Sequence, residues 1–278
     1  MLPYPSIDPV AFTVGPFFGL GPIRVHWYGI MYLIGFVAAV VLARIRAARP
    51  GSSWKAVDVE DLIFFCALGV IFGGRIGWLL VYGHDSVAED WHNIYRIWDG
   101  GMSFHGGMVG VLIAMTIFAW RRNRNIADVF DFTAPLPCLG LLAGRIGNFI
   151  NSELWGKPTT LPWGFKVHGQ VLHPSQLYEG FLEGLVLFVV LWTFTSKPRP
   201  RLAPSGLFLI LYGTFRTAIE FVRVPDANMG DHGYLAWGWL TTGQVLSVPM
   251  ILAGIVILVI AYRRNDPSGN YLAQPASA

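Results

Sequence analysis

The chain has 278 residues, of which 54% are hydrophobic and 13% charged, and its mean hydropathy is +0.49. Soluble domains carry about 45–50% apolar and about 25% charged residues, so these charges are too few to cover a soluble globule. High hydrophobicity excludes disorder, and a net charge of only +3 does not indicate nucleic-acid binding. Cys66 and Cys138 lie in apolar runs and form neither a disulfide framework nor a metal-ligand pattern. The sequence therefore predicts an integral membrane protein.

Seven apolar segments, close to the ~20 residues needed to cross a bilayer, predict seven transmembrane helices. The predicted spans are Trp27–Ala43, Asp61–Tyr82, Phe104–Trp120, Asp128–Ile150, Leu177–Thr195, Gly206–Val222 and Gly243–Tyr262. Pro135 and Pro137 interrupt the fourth span and predict a kink. Residues 1–26 have no basic residue before Arg24, so we interpret them as an interfacial segment and not as a cleavable signal peptide.

The basic residues between the spans predict the orientation of the chain. Twelve of the twenty lie in one set of connections, five in the opposite set and three inside spans. Cytoplasmic connections carry the excess, which predicts an external N-terminus and a cytoplasmic C-terminus. The longest outer connections, 83–103 and 151–176, carry tryptophans suited to the headgroup layer and are expected to form a small cap. The predicted fold is therefore an all-α polytopic membrane protein, with residues 1–278 forming a single transmembrane domain.

Three arginines, Arg75, Arg145 and Arg216, lie inside spans, where a charge costs about 2.5–3.5 kcal/mol at the centre. Each lies five to seven residues before the outer end of its span, which predicts one common depth in the outer leaflet. His105 and Tyr28 begin spans at the same level. Because the planar guanidinium binds phosphate through two parallel hydrogen bonds, this pattern predicts a site for a lipid phosphate.

Each of these residues also has a purely structural interpretation. Arg216 and Glu220, at i and i+4, are spaced to neutralise each other. Arg75 is placed where it can extend to the interface, and His105 is placed as a structural histidine near a helix end. The spans contain no lysine, which argues against a retinal-type Schiff base.

Two further features have alternative interpretations. Glycines cluster at 73–77, 106–107 and 144–147, where they permit either close helix packing or the approach of a ligand. The polar stretch 173–179 is either part of a site or a helix start, with Pro174 in the first turn and Ser175 as the cap.

The segment Gly144–Gly156 places a cation, two amides and a carboxylate where the fourth span leaves the membrane. It matches G-R-x-G-N-F-x-N-x-E-x-x-G, and the sequence here resembles the prolipoprotein diacylglyceryl transferases of bacterial plasma membranes. Further matching blocks are His26–Gly29, Trp98–Gly107, His173–Glu179, Phe215–Arg216, Glu220–Arg223 and Pro225–Asp226. The resemblance covers residues 8 to 264.

This resemblance implies that the diacylglyceryl group of phosphatidylglycerol moves to the lipobox cysteine thiol in the signal peptide of a prolipoprotein. A thioether forms and glycerol phosphate leaves. The predicted catalytic residues are His105, Arg145, Arg216 and Tyr28. The predicted substrate-binding residues are Arg145, Asn148, Asn151, Glu153, Gly156, Glu220, Arg75 and His173. The expected partners are phosphatidylglycerol, signal peptides and the bilayer, with no nucleic acid, metal or cofactor.

Individual roles follow from the chemistry. Arg145 and Arg216 would clamp the phosphate and stabilise the charge on the leaving oxygen. Asn148 and Tyr28 would add hydrogen bonds, and His105 is the candidate base for the thiol. The alternative class is a transporter or lipid-binding protein that uses the buried charges as a relay. A transporter should carry polar groups through the inner halves of its spans. These are almost uniformly apolar here, and Glu183 is the main exception.

Overall fold

The computed structural model describes residues 1–16, 21–83, 87, 90–97, 100–225, 234–236 and 239–271. Trp98, Asp99 and Asp226, which belong to the matching blocks, lie outside the described residues. The helices are α1 Trp27–Ala47, α2 Ala56–Val81, α3 Phe104–Arg121, α4 Ile126–Thr133, α5 Cys138–Ile150, α6 Ser175–Phe194, α7 Ala203–Glu220 and α8 Thr242–Arg264. The strands are β1 Leu2–Pro3, β2 Val10–Val14, β3 Ile23–His26, β4 Phe165–Val167, β5 Gln170–Leu172, β6 Tyr234–Ala236 and β7 Leu240–Thr241.

Five of the described helices, α1, α2, α3, α6 and α8, are long and apolar enough to cross a membrane. Helices α4 and α5 make a sixth if they are counted as one broken span. The break at residues 134–137 confirms the kink predicted from Pro135 and Pro137. Helix α7 has 18 residues but fails the same criterion, because Arg216 and Glu220 lower its hydropathy. The fold is therefore mostly helical and contains five or six candidate spans.

The candidate spans expose large apolar side chains. Leu33 in α1 is 63% exposed, Phe64 in α2 is 61% exposed and Leu252 in α8 is 57% exposed. Water-soluble proteins seldom present contiguous apolar surface of this kind. These faces are suited to contact with lipid.

The described chain divides into two compact units. The first comprises Met1–Leu42 and Thr133–Pro267, and the second comprises Ala43–Phe132 and Ser268–Ala278. Each unit is described by itself below.

In the second unit, glycines bring α2 and α3 into backbone contact. A Cβ on Gly73 would lie 2.7 Å from the Cα of Gly110, and one on Gly77 would lie 2.6 Å from the Cα of Gly106. Such small residues let membrane helices approach closely. Close packing, one of the two interpretations of these glycines, therefore explains their spacing.

We expect Gly110→Ala to destabilise the protein by about 1–3 kcal/mol, because the added methyl group would overlap the carbonyl of Gly69. Thermal unfolding in detergent micelles measures this effect. The matched control is Gly144→Ala in α5, since a Cβ at that position would have no heavy atom of another element within 4 Å. Equal melting temperatures for the two variants would contradict the close-packing interpretation.

In the first unit, the N-terminal segment forms strands. Strand β1 pairs in parallel with β4, which forms a hairpin with β5, while β2 pairs with β3. The Tyr4 hydroxyl contacts the carbonyls of Phe149 and Ile150, at 2.8 and 2.9 Å, and so covers the C-terminal end of α5. The segment interpreted as interfacial therefore packs directly on the motif region.

Helix α6 approaches α5 through two glycines. A Cβ on Gly184 would lie 2.9 Å from the backbone nitrogen of Leu142, and one on Gly180 would lie 3.3 Å from the Cβ of Arg145. Residues Gly180–Val186 form a π-helical segment, a feature frequent at functional sites. This close approach places Glu179, just before the π segment, beside Arg145.

Candidate active site

Glu179 is the centre of a buried charge cluster in the first unit. Its carboxylate is fully buried and receives the Arg145 guanidinium at 2.7 Å and the Arg216 guanidinium at 3.3 Å, both on Oε2. The Nε of Arg223 lies 3.5 Å from its Oε1. Side chains from α5, α7 and the segment after α7 therefore converge on one acid of α6.

Glu220 is the second acid of the cluster. Its Oε1 lies 2.6 Å from Arg216 Nη2 and 3.6 Å from Arg223 Nη1. The Thr241 hydroxyl donates to its Oε2 at 2.7 Å and also caps α8 by accepting from the backbone of Gln244. The predicted pairing of Arg216 with Glu220 is confirmed, but this pair is part of a larger network.

Glu183, one turn beyond Glu179, completes what we call the arginine–glutamate cluster. Its nearest cationic atom is Arg216 Nη1, at 4.0 Å. Its carboxylate is 1% exposed, and neither oxygen accepts a hydrogen bond from the described residues. The members of the cluster are Arg145, Arg216, Arg223, Glu179, Glu183 and Glu220.

The glutamates and the arginines of the cluster differ in their exposure to solvent. The carboxylates are 0 to 2% exposed, whereas the side chains of Arg145 and Arg216 are 24% and 17% exposed. The acids therefore hold the guanidiniums from the buried side and leave the arginines as the accessible members. In a medium of low dielectric, fixed cations of this kind are suited to bind an anion.

The motif after Arg145 folds back towards it. Arg145 Nη1 donates to Asn148 Oδ1 at 3.5 Å, and Asn148 Nδ2 donates to Glu153 Oε1 at 3.4 Å. Asn151 Nδ2 donates to the same Glu153 oxygen at 2.9 Å. Ser152, which lies between Asn151 and Glu153, has a φ of 57°, and this left-handed conformation turns the chain between them. The predicted residues Arg145, Asn148, Asn151 and Glu153 thus form one connected chain of polar contacts.

Tyr28, at the start of α1, packs against the same motif. A Cβ on Gly147 would lie 2.9 Å from Tyr28 Cδ2, so glycine is required for this contact. The Tyr28 hydroxyl lies 3.5 Å from that of Tyr32. Tyr28 therefore brings a hydroxyl-bearing side chain against the motif helix at Gly147.

Gly156 ends the motif in a crowded position. Its backbone nitrogen donates to the carbonyl of His173 at 2.9 Å, and a Cβ at Gly156 would lie 2.8 Å from that of His173. His173 Nδ1 lies 3.3 Å from the Tyr178 hydroxyl, and partial burial lowers the pKa of its imidazole from 6.5. Burial of His173 therefore favours its neutral imidazole.

The start of α6 differs from the predicted helix cap. Pro174 occupies the N-cap position and Ser175 is the first helical residue, so the assignment of Ser175 as the cap is wrong. The Ser175 hydroxyl donates instead to the carbonyl of Leu154 at 2.6 Å, and Gln176 donates to that of Glu153 at 2.8 Å. These two side chains fasten the motif to α6, because they pair the carbonyls of Glu153 and Leu154, which lie beyond the end of α5.

Arg75 and His105 belong to the second unit. The Arg75 guanidinium donates to the carbonyls of Ile94, Gly100 and Gly101 at 2.6 to 3.2 Å and also to that of Asn93. Arg75 is 6% exposed, so it binds the connection between α2 and α3 and does not extend to water. His105 is exposed in the first turn of α3, where Ser103 caps the helix.

Sequence reasoning did not single out Glu179 or Arg223 as site residues. A signal was available for both, because Glu179 and Glu183 are spaced i and i+4 and Arg223 follows Glu220 by three residues. Together with Arg216, these spacings put two acids on one face of α6 and a set of alternating charges at the end of α7.

Fold and site together define a multi-pass membrane protein that carries a buried arginine–glutamate cluster. The sequence model of the family described as prolipoprotein diacylglyceryl transferase matches residues 16–260. The phosphatidylglycerol–prolipoprotein diacylglyceryl transferase of Pseudomonas paraeruginosa is 52% identical over 281 residues and covers 100% of both chains. The proteins of that description from Oleidesulfovibrio alaskensis and Methylococcus capsulatus are 52% and 54% identical, covering 95% and 96% of this chain and 97% and 100% of their own. The chain belongs to the prolipoprotein diacylglyceryl transferase family.

Proposed function

We propose that this transferase moves the diacylglyceryl group of phosphatidylglycerol to the cysteine thiol of a prolipoprotein signal peptide. The observation that carries the proposal is the convergence of Arg145 and Arg216 on the buried Glu179. Two fixed, partly accessible guanidiniums match the phosphodiester of an anionic lipid. The full-length relatives supply the reaction class.

In the proposed reaction, the thiolate attacks the glycerol carbon that bears the phosphate. A carbon–sulfur bond forms, the carbon–oxygen bond breaks, and the leaving glycerol phosphate gains one negative charge. Arg145 and Arg216 stabilise that charge, because preorganised donors are most effective where charge develops. Asn148 lies beside Arg145 and Tyr28 packs on the adjacent Gly147, and both supply further donors, while Glu153 and Glu220 orient the donors. Asn151, Gly156, His173 and Arg75 remain proposed contributors to substrate binding.

The overall reaction is tested by incubating the purified protein with phosphatidylglycerol vesicles and a peptide that contains the acceptor cysteine. Mass spectrometry should detect a peptide with a thioether-linked diacylglyceryl group. The alternative of a transporter or relay would gain support if no adduct formed under conditions in which the protein stays folded.

We propose His105 as the base that accepts the thiol proton. His105→Gln is expected to lower transfer about 100-fold at pH 7, because a thiol with a pKa near 8.5 is then mostly protonated. The deficit should shrink at pH 9, where the thiol ionises without help. Transfer rates across this pH range measure the effect.

The matched control for this test is His168→Gln, because His168 is exposed on the turn between β4 and β5. It should leave transfer unchanged at every pH. Near-normal transfer by His105→Gln at pH 7 would remove His105 from the role of base.

We also propose the complete membrane topology. Helix α7 also crosses the membrane and brings the number of spans to seven. The N-terminus is external, the C-terminus is cytoplasmic, and the cluster faces the outer leaflet of the bacterial plasma membrane. The proposal is supported by the bias of basic residues and by the positions of Arg145 and Arg216 near the C-terminal ends of α5 and α7. The outer connections 83–103 and 151–176 then form a cap on a single transmembrane domain.

Cysteine labelling checks this orientation. In intact cells, a membrane-impermeant maleimide should label Thr160→Cys, in the proposed outer connection, and should not label Ser196→Cys after α6. Labelling of Ser196→Cys should require permeabilisation. The reversed pattern would invert the proposed topology.

A further inference from the structure

An open groove of about 480 Å³ lies on the first unit, between the connection that follows the motif and the segment that follows α7. Most of its lining is apolar and includes Leu154, Trp155, Leu172, Val224 and Pro225. One charged side chain, Arg223, forms part of its wall.

The backbone around this groove is already paired. Gly156 forms a bridge with Arg223, and Pro158 forms a bridge with Leu172. The backbone nitrogen of Lys157 also donates to the carbonyl of Val222 at 2.8 Å. The walls are therefore held in place, and an occupant contacts side chains instead of adding a strand to a free edge.

Arg223 connects the groove to the arginine–glutamate cluster. Its guanidinium lies 3.5 Å from Glu179 and 3.6 Å from Glu220, the two acids that also bind Arg216. The Arg223 side chain thus lies between the groove and the proposed phosphate site and borders both.

The chemistry of transfer restricts what can occupy a neighbouring groove. The acceptor sulfur must come within bonding reach of the carbon attached to the phosphate, so the peptide that carries it must lie beside the phosphate site. An apolar lining suits uncharged peptide side chains and does not suit the hydroxyl-rich glycerol phosphate product.

We propose that this groove binds the uncharged peptide segment that flanks the acceptor cysteine of the prolipoprotein. The inference rests on the proposed function, since it assigns the acceptor a place next to the phosphate clamp. Val224 and Leu172 then contact apolar side chains of the peptide, while Arg223 marks the boundary with the lipid phosphate.

Separate Michaelis constants for the two substrates test the proposal. Val224 is 50% exposed, so Val224→Trp fills the groove without disturbing the core. It should raise KM for the cysteine peptide about tenfold or more and leave KM for phosphatidylglycerol within about twofold. The control is Thr160→Trp. Thr160 is exposed on the connection that follows the motif but does not line the groove, so this substitution should change neither constant.

The other outcomes are informative. A rise only in KM for phosphatidylglycerol would assign the groove to lipid, and no change in either constant would leave the groove without a role in binding. Absence of the thioether product with the unmodified enzyme would instead contradict the proposed function itself.

A crosslinking experiment covers the case in which Val224→Trp does not fold. Benzoylphenylalanine placed at position 224 should crosslink a precursor peptide in which serine replaces the acceptor cysteine, so that no transfer takes place. An excess of the cysteine peptide should compete for the groove and suppress the crosslinked complex. The same probe at position 160 is the control. Equal crosslinking at both positions would overturn the proposal.

Discussion

Replacement of Arg216 by glutamine is expected to lower diacylglyceryl transfer about 100- to 1000-fold. Arg216 is the cation that contacts all three acids of the cluster, at 2.6 Å from Glu220, 3.3 Å from Glu179 and 4.0 Å from Glu183. Its loss removes one half of the phosphate clamp and takes away the closest cation of Glu220, so the buried carboxylates keep only part of their compensation. Transfer to a cysteine peptide measures the loss, and thermal unfolding measures the accompanying destabilisation.

Arg216→Lys separates charge from geometry. It keeps the positive charge but not the planar fork, so we expect it to remain well below the unmodified enzyme. The matched control is Arg199→Gln, because Arg199 binds the carbonyl of Phe194 and contributes nothing to the cluster. If Arg216→Gln transferred at a normal rate while still inserting into membranes, the phosphate clamp would be wrong.

The sequence was informative about the helices because their signal is local. A run of apolar residues identifies a span without knowledge of its neighbours, and Pro135 and Pro137 mark the break between α4 and α5. The strands of the N-terminal segment could not be found in this way. Strand β1 has only two residues, and its partner β4 lies more than 160 residues further along the chain.

The sequence predicted those site residues that place a charge inside a span, because such charges are costly and therefore rare. Arg145, Arg216 and Glu220 stand out because charges are rare inside spans, and the structure joins them in one cluster. The role of Glu179 depends on the glycine contacts that bring α6 against α5, and no sequence spacing between Glu179 and Arg145 encodes that approach. Similarly, an arginine within a span does not reveal its partners, and those of Arg75 are backbone carbonyls.

The two acids of α6 are expected to respond in opposite ways to the same substitution. Glu179→Gln removes the carboxylate shared by Arg145, Arg216 and Arg223. Breaking buried ion pairs from one side costs about 3–5 kcal/mol, because the remaining charges lose their compensation. The variant should therefore melt at a lower temperature and lose about 100-fold or more of its transfer activity.

Glu183→Gln is the matched comparison, on the same helix and one turn away. Neither Glu183 oxygen accepts a hydrogen bond from the described residues, and its closest cationic atom is 4.0 Å distant. Glutamine has nearly the same shape and removes a poorly compensated buried charge, so stability should be equal or higher and transfer should stay within about threefold. Equal losses in the two variants would show that the cluster depends on its total negative charge and not on the contacts of Glu179.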